Sequence, residues 1–382
     1  MRVSVLGYGT VGVGVCAMIE AAEGLELGKV LVRPGKADKP FKVCSIEEIC
    51  ADGSCDAVVE VMGGVEPAFS YVSAALRAGK HAVTSNKALV AAHGPELAKL
   101  AEEKGVGFLF SAACGGAVPF LHNLALAVES DRILALGGIL NGTTNFMLDS
   151  MQRSGMDYGD ALREAQALGY AEADPTADVS GLDALRKIML ACAVAYNKLP
   201  CEGFSLEGIE SVTAADVKHF QSRDLVLRLL VRGGESEDGR IYAFVQPYLL
   251  SASSPEASVL QNFNMAKYRG ENAGDIILIG QGAGRYPTAS AVVRDISDIA
   301  HGRRAMMRAD CERVAADNSV CSCRYYVRLP AGCADALPLA EKELDGALVR
   351  GVTEPLPVTE MHARVKALRE SGAAVFFAAM EG

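Results

Sequence analysis

Near its start the chain reads RVSVLGYGTVGVGVCAMIEAAEG (residues 2–24), and this segment predicts the architecture of the N-terminal domain. A short β-branched run leads into a glycine turn, and an apolar helix-like run comes next. In such a unit Gly7 allows a tight turn, Gly9 lets the main chain approach a pyrophosphate, and Gly12 lets helix and strand pack closely. The helix N-terminus then offers N–H groups to the phosphates. The segment therefore predicts a dinucleotide site; the alternative is an ordinary tight βα turn.

The alternation of short apolar runs with helix-like runs continues after this unit. Strands are predicted at residues 29–32, 57–61, 81–84 and 106–110, and helices at residues 46–50, 67–78 and 95–104. Strands that alternate with helices are typical of a parallel, doubly wound α/β sheet. We therefore predict a dinucleotide-binding domain over residues 1–118.

The pattern changes after Pro119 to one typical of an α+β domain, predicted over residues 119–287. Its expected helices are residues 120–129, 146–152, 158–167 and 183–196, its expected strands residues 133–140, 241–250 and 275–279, and its polar loop residues 141–145. A helix over residues 288–302 is expected to complete the first domain. The tail, residues 303–382, is predicted to alternate strands (325–329, 348–352, 374–378) with helices (337–344, 361–371).

Composition excludes several classes of protein. The formal net charge is −10 and no basic cluster occurs, which argues against nucleic-acid and anionic-membrane partners. No apolar run is long enough for a transmembrane helix, and the first residues lack the charged region and apolar core of a signal peptide. We therefore expect a cytoplasmic, globular protein whose eleven cysteines are reduced thiols.

Two positively charged residues follow the second predicted strand. Arg33 comes 21 residues after Gly12, where NAD enzymes usually carry an acid that binds the ribose 2′-hydroxyl. An arginine suits a 2′-phosphate instead, and Lys36 can assist it. This pair predicts NADP(H) in preference to NAD(H), unless Arg33 is simply a solvated loop residue.

Lys87 ends the sequence TSNK (residues 84–87) at the close of a predicted strand. Ligands of open α/β sheets bind beyond the carboxyl ends of the strands, so Lys87 is placed to reach cofactor or substrate. The alternative is a solvated loop lysine.

The acid-rich segment AQALGYAEADPTADVSGLDALRK runs from residue 165 to residue 187. Asp183 and Lys187 are four residues apart, hence on one helix face, and residues 188–196 carry no charge. A helix that is apolar all round is normally buried, so the pair is expected at the mouth of a buried helix, where Lys187 is a candidate proton donor. The alternative is a weak surface ion pair.

Together these motifs resemble the homoserine dehydrogenase family over residues 1 to about 302. The resemblance rests on GYGTVG (7–12), AGKHAVTSNKAL (78–89), ACGGAVP (113–119), GGILNGTTNF (137–146), LGYAEADPTADVSGLDALRK (168–187) and GAGRYPTASAV (282–292). It implies reduction of aspartate 4-semialdehyde to homoserine with a nicotinamide cofactor, on the path to threonine and methionine.

The resemblance also implies roles for individual residues. Lys187 matches the proton donor, Asp183 and Glu172 match substrate-binding acids, and Lys87 matches a lysine between cofactor and substrate. Further candidate substrate contacts are Asp178, Tyr170 and Thr144. Further candidate cofactor contacts are Thr10, Val11, Ser85, Gly169, Gly282 and Gly284.

Two features depart from the family pattern. Ser111 stands where family members commonly place a glutamate of a monovalent-cation site, so only the carbonyls of Cys114, Gly116 and Val118 remain as candidate ligands. We therefore expect activity without added Na⁺ or K⁺. The tail resembles a shortened ACT-type regulatory module with one strand weak or missing, used for assembly more than for amino-acid sensing.

The sequence leaves two other functions open. The chain could be a related amino-acid dehydrogenase with another substrate, or a non-catalytic NADP-binding sensor. The acids with Lys187 argue against the first, and the two lysines argue against the second. By analogy with the family we expect a homodimer or homotetramer, with residues 241–250 supplying an edge or a face of the interface.

Overall fold

The computed structural model describes residues 1–39 and 41–381. In chain order its strands are β1 Arg2–Leu6, β2 Glu26–Leu31, β3 Lys42–Val43, β4 Ala57–Glu60, β5 His81–Thr84, β6 Phe108–Leu109, β7 Ile133–Ile139, β8 Lys198–Glu202, β9 Ser205–Leu206, β10 Leu225–Glu235, β11 Ile241–Ser251, β12 Phe263–Gly270, β13 Gly274–Gln281, β14 Glu312–Ala315, β15 Ser322–Cys323, β16 Tyr325–Pro330, β17 Leu339–Asp345, β18 Leu348–Thr353, β19 Leu356–Pro357 and β20 Phe376–Met380.

The α-helices are α1 Thr10–Ala21, α2 Ile46–Cys50, α3 Ala68–Arg77, α4 Lys87–Lys104, α5 Phe120–Ala127, α6 Gly142–Ser154, α7 Tyr158–Ala167, α8 Thr176–Val179, α9 Leu182–Tyr196, α10 Ala214–Gln221, α11 Arg285–Ala300 and α12 Val358–Glu370. Short 3-10 helices lie at Ser111–Ala113, Glu256–Ser258, Asn318–Val320 and Ala331–Ala336. None of the helices within residues 1–39 and 41–381 combines the length and apolarity needed to cross a membrane.

The chain forms two compact units. Unit 1 comprises Met1–Ile133, Met189–Leu199 and Gly270–Arg313, and unit 2 comprises Leu134–Ile188, Pro200–Arg269 and the described residues from Val314 onward. Most of the tail thus clusters with the second predicted domain, because β20 pairs in parallel with β11 through Tyr248 and Ala379.

Unit 1 contains the parallel sheet that the N-terminal segment predicts. Its strand order is β3-β2-β1-β4-β5-β6, and each neighbouring pair is parallel. This is the strand order of a Rossmann-type fold, so the predicted α/β class is confirmed. Helix α11 lies against α1, since a Cβ atom added to Gly14 would meet Arg285 Cγ at 2.8 Å.

Helix α4 differs from the prediction in its first half. The sequence predicts a helix that starts at Pro95, but α4 begins at Lys87 and contains Pro95. The Asn86 side chain accepts a hydrogen bond from the Leu89 N–H and so caps the earlier start. Buried side chains on both sides of Pro95, such as Val90 and Leu97, hold the helix together despite the missing N–H.

Unit 2 is built on a mixed sheet, which agrees with the α+β character predicted for this region. Its strands follow the order β12-β7-β10-β11-β20-β16-β18-β17. Strands β10 and β11 pair antiparallel from Leu225–Ser251 to Glu235–Ile241. The sequence analysis missed β10 and β12. Because β11 lies between β10 and β20, the prediction that residues 241–250 offer a free edge is wrong, and only a face remains.

The predicted helix over residues 337–344 is wrong, because this segment is strand β17. It pairs antiparallel with β18, and Asp345 lies opposite Leu348 across a two-residue turn. Gly346 has a φ of +62°, which suits this hairpin turn and stabilises it against the helix propensity of the segment. Residues 331–336, between β16 and β17, form a 3-10 helix.

Candidate active site

The glycine turn of unit 1 is shaped by main-chain contacts. Gly7 has a φ of +107°, which favours glycine, and its oxygen lies 2.2 Å from where a Cβ of Gly12 would be. Gly9 precedes α1 as its N-cap, and no atom of the described residues lies within 4 Å of the position that a Cβ atom would take there. Thr10 and Val11 form the start of α1. The turn thus leaves open space at Gly9 and at the helix N-terminus, which suits a dinucleotide pyrophosphate.

A cavity of about 890 Å³ adjoins this turn. Its lining includes Gly7, Gly9, Arg33, Lys36 and Met62. Arg33 and Lys36 are exposed, so their charged groups are accessible to a ligand. Three of the predicted cofactor candidates, Gly7, Gly9 and Arg33, therefore line one cavity, and Lys36 lines it with them.

An acid and a base also line this cavity and bond to each other. Lys42 Nζ donates to Asp38 Oδ1 at 2.6 Å and lies 4.6 Å from the centroid of the Tyr8 ring. The hydrogen bond from Lys42 lowers the pKa of the Asp38 carboxyl. Lys42 is thereby partly neutralised by Asp38.

The carboxyl ends of β4 and β5 carry a buried network that the sequence analysis missed. The Glu60 carboxylate accepts hydrogen bonds from Met62 N (2.6 Å), Gly63 N (3.3 Å) and the Thr84 hydroxyl. Asn86 Nδ2 donates to Gly64 O at 2.5 Å. The network holds the 62–64 loop, part of which lines the cavity, against the end of β5.

Ser85 and Lys87 lie at this same edge of the sheet. Ser85 N donates to Glu60 O at 3.2 Å, and Lys87 is the first residue of α4. Both side chains are half-buried. The prediction that Lys87 follows the end of a strand is confirmed, although it lies in a helix and not in a loop.

The loop after β6 and the 282–284 turn are in close contact within unit 1. A Cβ on Gly116, whose φ is +53°, would lie 2.6 Å from the carbonyl carbon of Gly282. Ala117 N donates to Gln281 O at 3.0 Å. Gly284, with a φ of +127°, is the N-cap of α11. Two predicted cofactor glycines, Gly282 and Gly284, thus lie between this loop and α11.

Ser111 is bonded to a buried acid. Asp295 of α11 accepts hydrogen bonds from Ser111 N (2.8 Å) and from the Ser111 hydroxyl. Burial raises the pKa of the Asp295 carboxyl to about 7, while the bonds from Ser111 act in the opposite direction. Asp295 therefore ties the start of this loop to α11.

The loop carbonyls fit a tight monovalent-cation site poorly. The Val118 carbonyl already accepts a hydrogen bond from Phe120 N at 2.8 Å, and the Ser111 hydroxyl donates to Asp295. Without a carboxylate beside them, the loop carbonyls would bind a hard cation weakly.

In unit 2, Lys187 and Asp183 form a buried ion pair. Lys187 Nζ lies 2.8 Å from Asp183 Oδ2 and donates to Leu140 O at 2.5 Å. Each of the two residues is only 7% exposed. Ile188 and Leu190, in the charge-free run behind them, are fully buried. The predicted buried helix with a paired lysine at its mouth is confirmed, and the surface-pair alternative is wrong.

Asn141 connects this pair to Asp178. Its Nδ2 donates to Asp178 Oδ1 at 2.7 Å and to Asp183 Oδ2 at 2.9 Å. Asn141 is also the N-cap of α6, because its Oδ1 accepts from Thr144 N at 2.8 Å. The residues predicted as a polar loop thus contain the start of a helix. Sequence reasoning missed Asn141; the cap pattern Asn-x-x-Thr was the available signal.

The remaining predicted substrate residues lie around α6 and α7. Tyr170 accepts at its carbonyl from the Thr143 hydroxyl at 2.5 Å, and its ring meets Phe146 edge-on. The hydroxyl of Thr144, a buried residue, bonds to Asn141 Oδ1 at 3.0 Å. Glu172 is exposed. Gly169, a predicted cofactor contact, follows α7 in unit 2 with a φ of +75°.

Comparison with known proteins identifies both halves of the chain. A family described as homoserine dehydrogenase matches residues 119–297, and its NAD-binding domain matches residues 7–111. A homoserine dehydrogenase from Corynebacterium glutamicum is 41% identical over 326 residues, which cover 79% of this chain and 73% of that protein.

Solved structures agree with these matches. A homoserine dehydrogenase from Thiobacillus denitrificans superposes with a TM-score of 0.88 at 29% identity, over 100% of this chain and 98% of that one. A hyperthermophilic archaeal homoserine dehydrogenase mutant in complex with NADPH gives a TM-score of 0.68 at 29% identity, over 78% of this chain and 97% of that one. The glycine turn, the buried acid–lysine pair and these matches agree, and the chain belongs to the homoserine dehydrogenase family of NAD(P)-dependent oxidoreductases.

Proposed function

We propose that the chain reduces L-aspartate 4-semialdehyde to L-homoserine with NADPH, and that Lys187 donates the proton. When bound, NADPH supplies a hydride to the aldehyde carbon. The carbonyl oxygen then gains negative charge and takes a proton from the Lys187 ammonium group, which becomes a neutral amine until solvent reprotonates it. The products are homoserine and NADP⁺, so charge and atoms balance.

The buried pair of Lys187 and Asp183 carries this proposal. The carboxylate 2.8 Å from Nζ favours the charged ammonium, and burial of both groups strengthens their interaction. The second bond, to Leu140 O, contributes with Asp183 to the direction of the lysine side chain. A positioned ammonium can stabilise the developing oxyanion and protonate it.

The other predicted residues have supporting roles in the proposal. Lys87 adds positive potential for the developing charge. Glu172 and Asp183 hold the α-ammonium group of the substrate by charge-assisted hydrogen bonds, with Asp178, Tyr170 and Thr144 around them. Gly169 contacts the nicotinamide side of the cofactor.

Within the same proposal, the cavity beside the glycine turn holds NADP(H) in preference to NAD(H). Gly7, Gly9, Thr10, Val11 and Gly12 hold the pyrophosphate, and Ser85, Gly282 and Gly284 contact the rest of the cofactor. Arg33 and Lys36 line the cavity and suit a 2′-phosphate. The NADPH complex of the archaeal relative supports this choice. Comparison of kcat/KM for NADPH and NADH tests it, and a clear NADH preference would overturn it.

Reduction of NADP⁺ with L-homoserine, followed at the nicotinamide absorbance, tests the proposed reaction. We expect the enzyme to oxidise homoserine and to turn over other amino acids and amino alcohols far more slowly. Turnover of a different amino acid would show a related dehydrogenase instead. Binding of NADP⁺ without any turnover would show a sensor.

Activity without added monovalent cation is also proposed. Position 111, where the family commonly has a glutamate, is a serine here, and its hydroxyl is bonded to Asp295. Assays in a tetramethylammonium buffer, with and without Na⁺ or K⁺, measure this directly. Strong activation by either ion would contradict it.

The ACT-like identity of the tail and the homodimeric or homotetrameric state are proposals as well. The order β20-β16-β18-β17 with α12 supports the first. Removing the tail would also remove β20 from its place beside β11, so threonine is best titrated against the full chain. Inhibition at millimolar threonine would show a sensing role; light scattering of the same sample gives the oligomeric state.

A further inference from the structure

Asn141 connects three separate segments of unit 2 through one side chain. Its oxygen faces α6, where it accepts from Thr144 N at 2.8 Å and from Thr144 Oγ1 at 3.0 Å. Its nitrogen faces the acids, where it donates to Asp178 at 2.7 Å and to Asp183 at 2.9 Å. Asn141 is only 4% exposed, so these bonds form away from bulk water.

The amide of Asn141 is used at both ends. A primary amide has two N–H donors and an oxygen with two lone pairs, and these four bonds match that capacity. The network also sets the orientation, because a flipped amide would place its oxygen against two carboxylates. Aspartate at this position could cap α6 but could not donate to the acids. Serine could cap α6 but could not bond to both acids as well.

The donor end of Asn141 holds together two groups of like charge. Asp178 and Asp183 bond to the same nitrogen, and like charges at this range push apart unless donors lie between them. Asp183 Oδ2 is at the same time the atom that meets Lys187 Nζ at 2.8 Å. The position of that oxygen, and with it the direction of the lysine, therefore depends on Asn141.

We propose that Asn141 is a positioning residue for the proton donor: through Asp183 it aims Lys187, and it keeps Asp178 beside Asp183 in a site for an α-amino acid. This inference rests on the proposed function. It assigns no contact between Asn141 and the substrate, because all its polar atoms are engaged by the protein.

Capping and positioning use opposite ends of the amide, so variants can separate them. Asn141→Ser keeps a good helix cap and removes the bridge to the acids. Asn141→Asp keeps the cap and adds a third carboxylate. Asp157→Ala is the matched control, since Asp157 caps α7 in the same unit by accepting from Asp160 N, at an exposed position.

The variants are compared by Tm, by kcat and KM for homoserine and NADP⁺, and by the pH profile of kcat/KM. Asn141→Ser is expected to lower kcat by about 10–100-fold with the KM for NADP⁺ unchanged, because the donor is misaimed, and to remain folded with a lowered Tm, because two buried acids lose their shared donor. Asn141→Asp is expected to lower kcat further and to move the acid limb of the pH profile of kcat/KM to higher pH. Asp157→Ala is expected to lower Tm and leave kcat unchanged.

Two outcomes overturn the inference alone. If Asn141→Ser keeps the parental kcat and pH profile, Asn141 is only a helix cap. If kcat falls in proportion to Tm in all three variants, including Asp157→Ala, the effect is general loss of structure. A parent enzyme that fails to oxidise homoserine overturns the proposed function itself, and that result is visible before any variant is measured.

Discussion

The dinucleotide cavity of unit 1 is shaped by the main chain, whereas the acid–lysine cluster of unit 2 is shaped by side chains that bond to one another. At the glycine turn, Gly7 and Gly12 touch through main-chain atoms, and Gly9 faces open space. In unit 2, Asn141, Asp183 and Lys187 come from two helix starts and depend on side-chain hydrogen bonds. A turn made by the main chain needs only small residues at fixed spacing, so a short motif reveals it. A cluster made by side chains becomes visible only when the segments are brought together.

The largest effect expected from this difference is the loss of Lys187. Lys187→Ala should lower kcat about 10²–10⁴-fold, the usual contribution of a general acid, and leave the KM for NADP⁺ unchanged. Lys187→Arg keeps the charge but holds its proton too tightly to donate it near neutral pH, so it should recover only part of the loss. Steady-state kinetics with homoserine measures both, and near-normal turnover of Lys187→Ala would remove the residue from its proposed role.

The glycines of the turn give the matching test in unit 1. A Cβ at residue 12 would lie 2.2 Å from Gly7 O, so Gly12→Ala should destabilise the fold by about 1–3 kcal/mol or more. The Cβ of Gly9→Ala would meet no atom of residues 1–39 and 41–381 within 4 Å, so this variant should keep the parental Tm, yet raise the KM for NADPH by obstructing the pyrophosphate. Thermal melts and cofactor titrations separate the two. An unchanged KM for NADPH in Gly9→Ala would show that the open space at Gly9 has no role in binding.

A side-chain contact inside unit 2, between His362 and Gln246, is expected to make its stability sensitive to acid. Burial, aided by the charge of Arg369, lowers the pKa of His362 from 6.5 to about 4. Its Nε2 lies 3.0 Å from Gln246 Oε1. Between these pH values the unfolded chain binds more protons than the folded one, so stability is fully present above pH 6.5 and is lost as the pH falls towards 4. The loss is at most about 3 kcal/mol, at ~1.4 kcal/mol per pKa unit.

Urea unfolding at pH 7.5 and pH 5 measures this acid sensitivity. His362→Gln, which can still donate to Gln246, should show a smaller loss between the two pH values than the parent. An unchanged pH dependence in this variant would assign the acid sensitivity to other groups.

The smallest of the expected effects concerns cofactor choice, where unit 1 does use a side chain. Arg33→Ala should lower kcat/KM for NADPH about 10–100-fold, because a hydrogen bond to a charged group contributes about 1.5–3 kcal/mol. The kcat/KM for NADH should stay the same. The control variant Lys39→Ala, which removes an exposed positive charge from the same loop, should change kcat/KM for neither cofactor. Equal losses with both cofactors would place Arg33 outside 2′-phosphate recognition.

Much of the first unit was predictable because local patterns and tertiary structure agree there. The segment at residues 2–24 identified strand, turn and helix, and β5 was predicted with its observed bounds. The errors occur where distant pairing opposes local propensity. The segment at residues 337–344 has a helical composition but pairs with β18. Pro95 suggested the start of a helix, but the helix begins eight residues earlier, after the Asn86 cap.

The sequence by itself determined the family, the Rossmann-type unit, and the pairing of Asp183 with Lys187, because each depends on residue types at short, fixed spacing. Only the tertiary structure decided that this pair is buried, that Asp295 bonds to Ser111, and that Asn141 joins two acids 37 and 42 residues further along the chain. The partners in those contacts are far apart in sequence and follow no helix or strand spacing, so no sequence pattern reveals them. They come within hydrogen-bond distance only after the sheet and helices have packed.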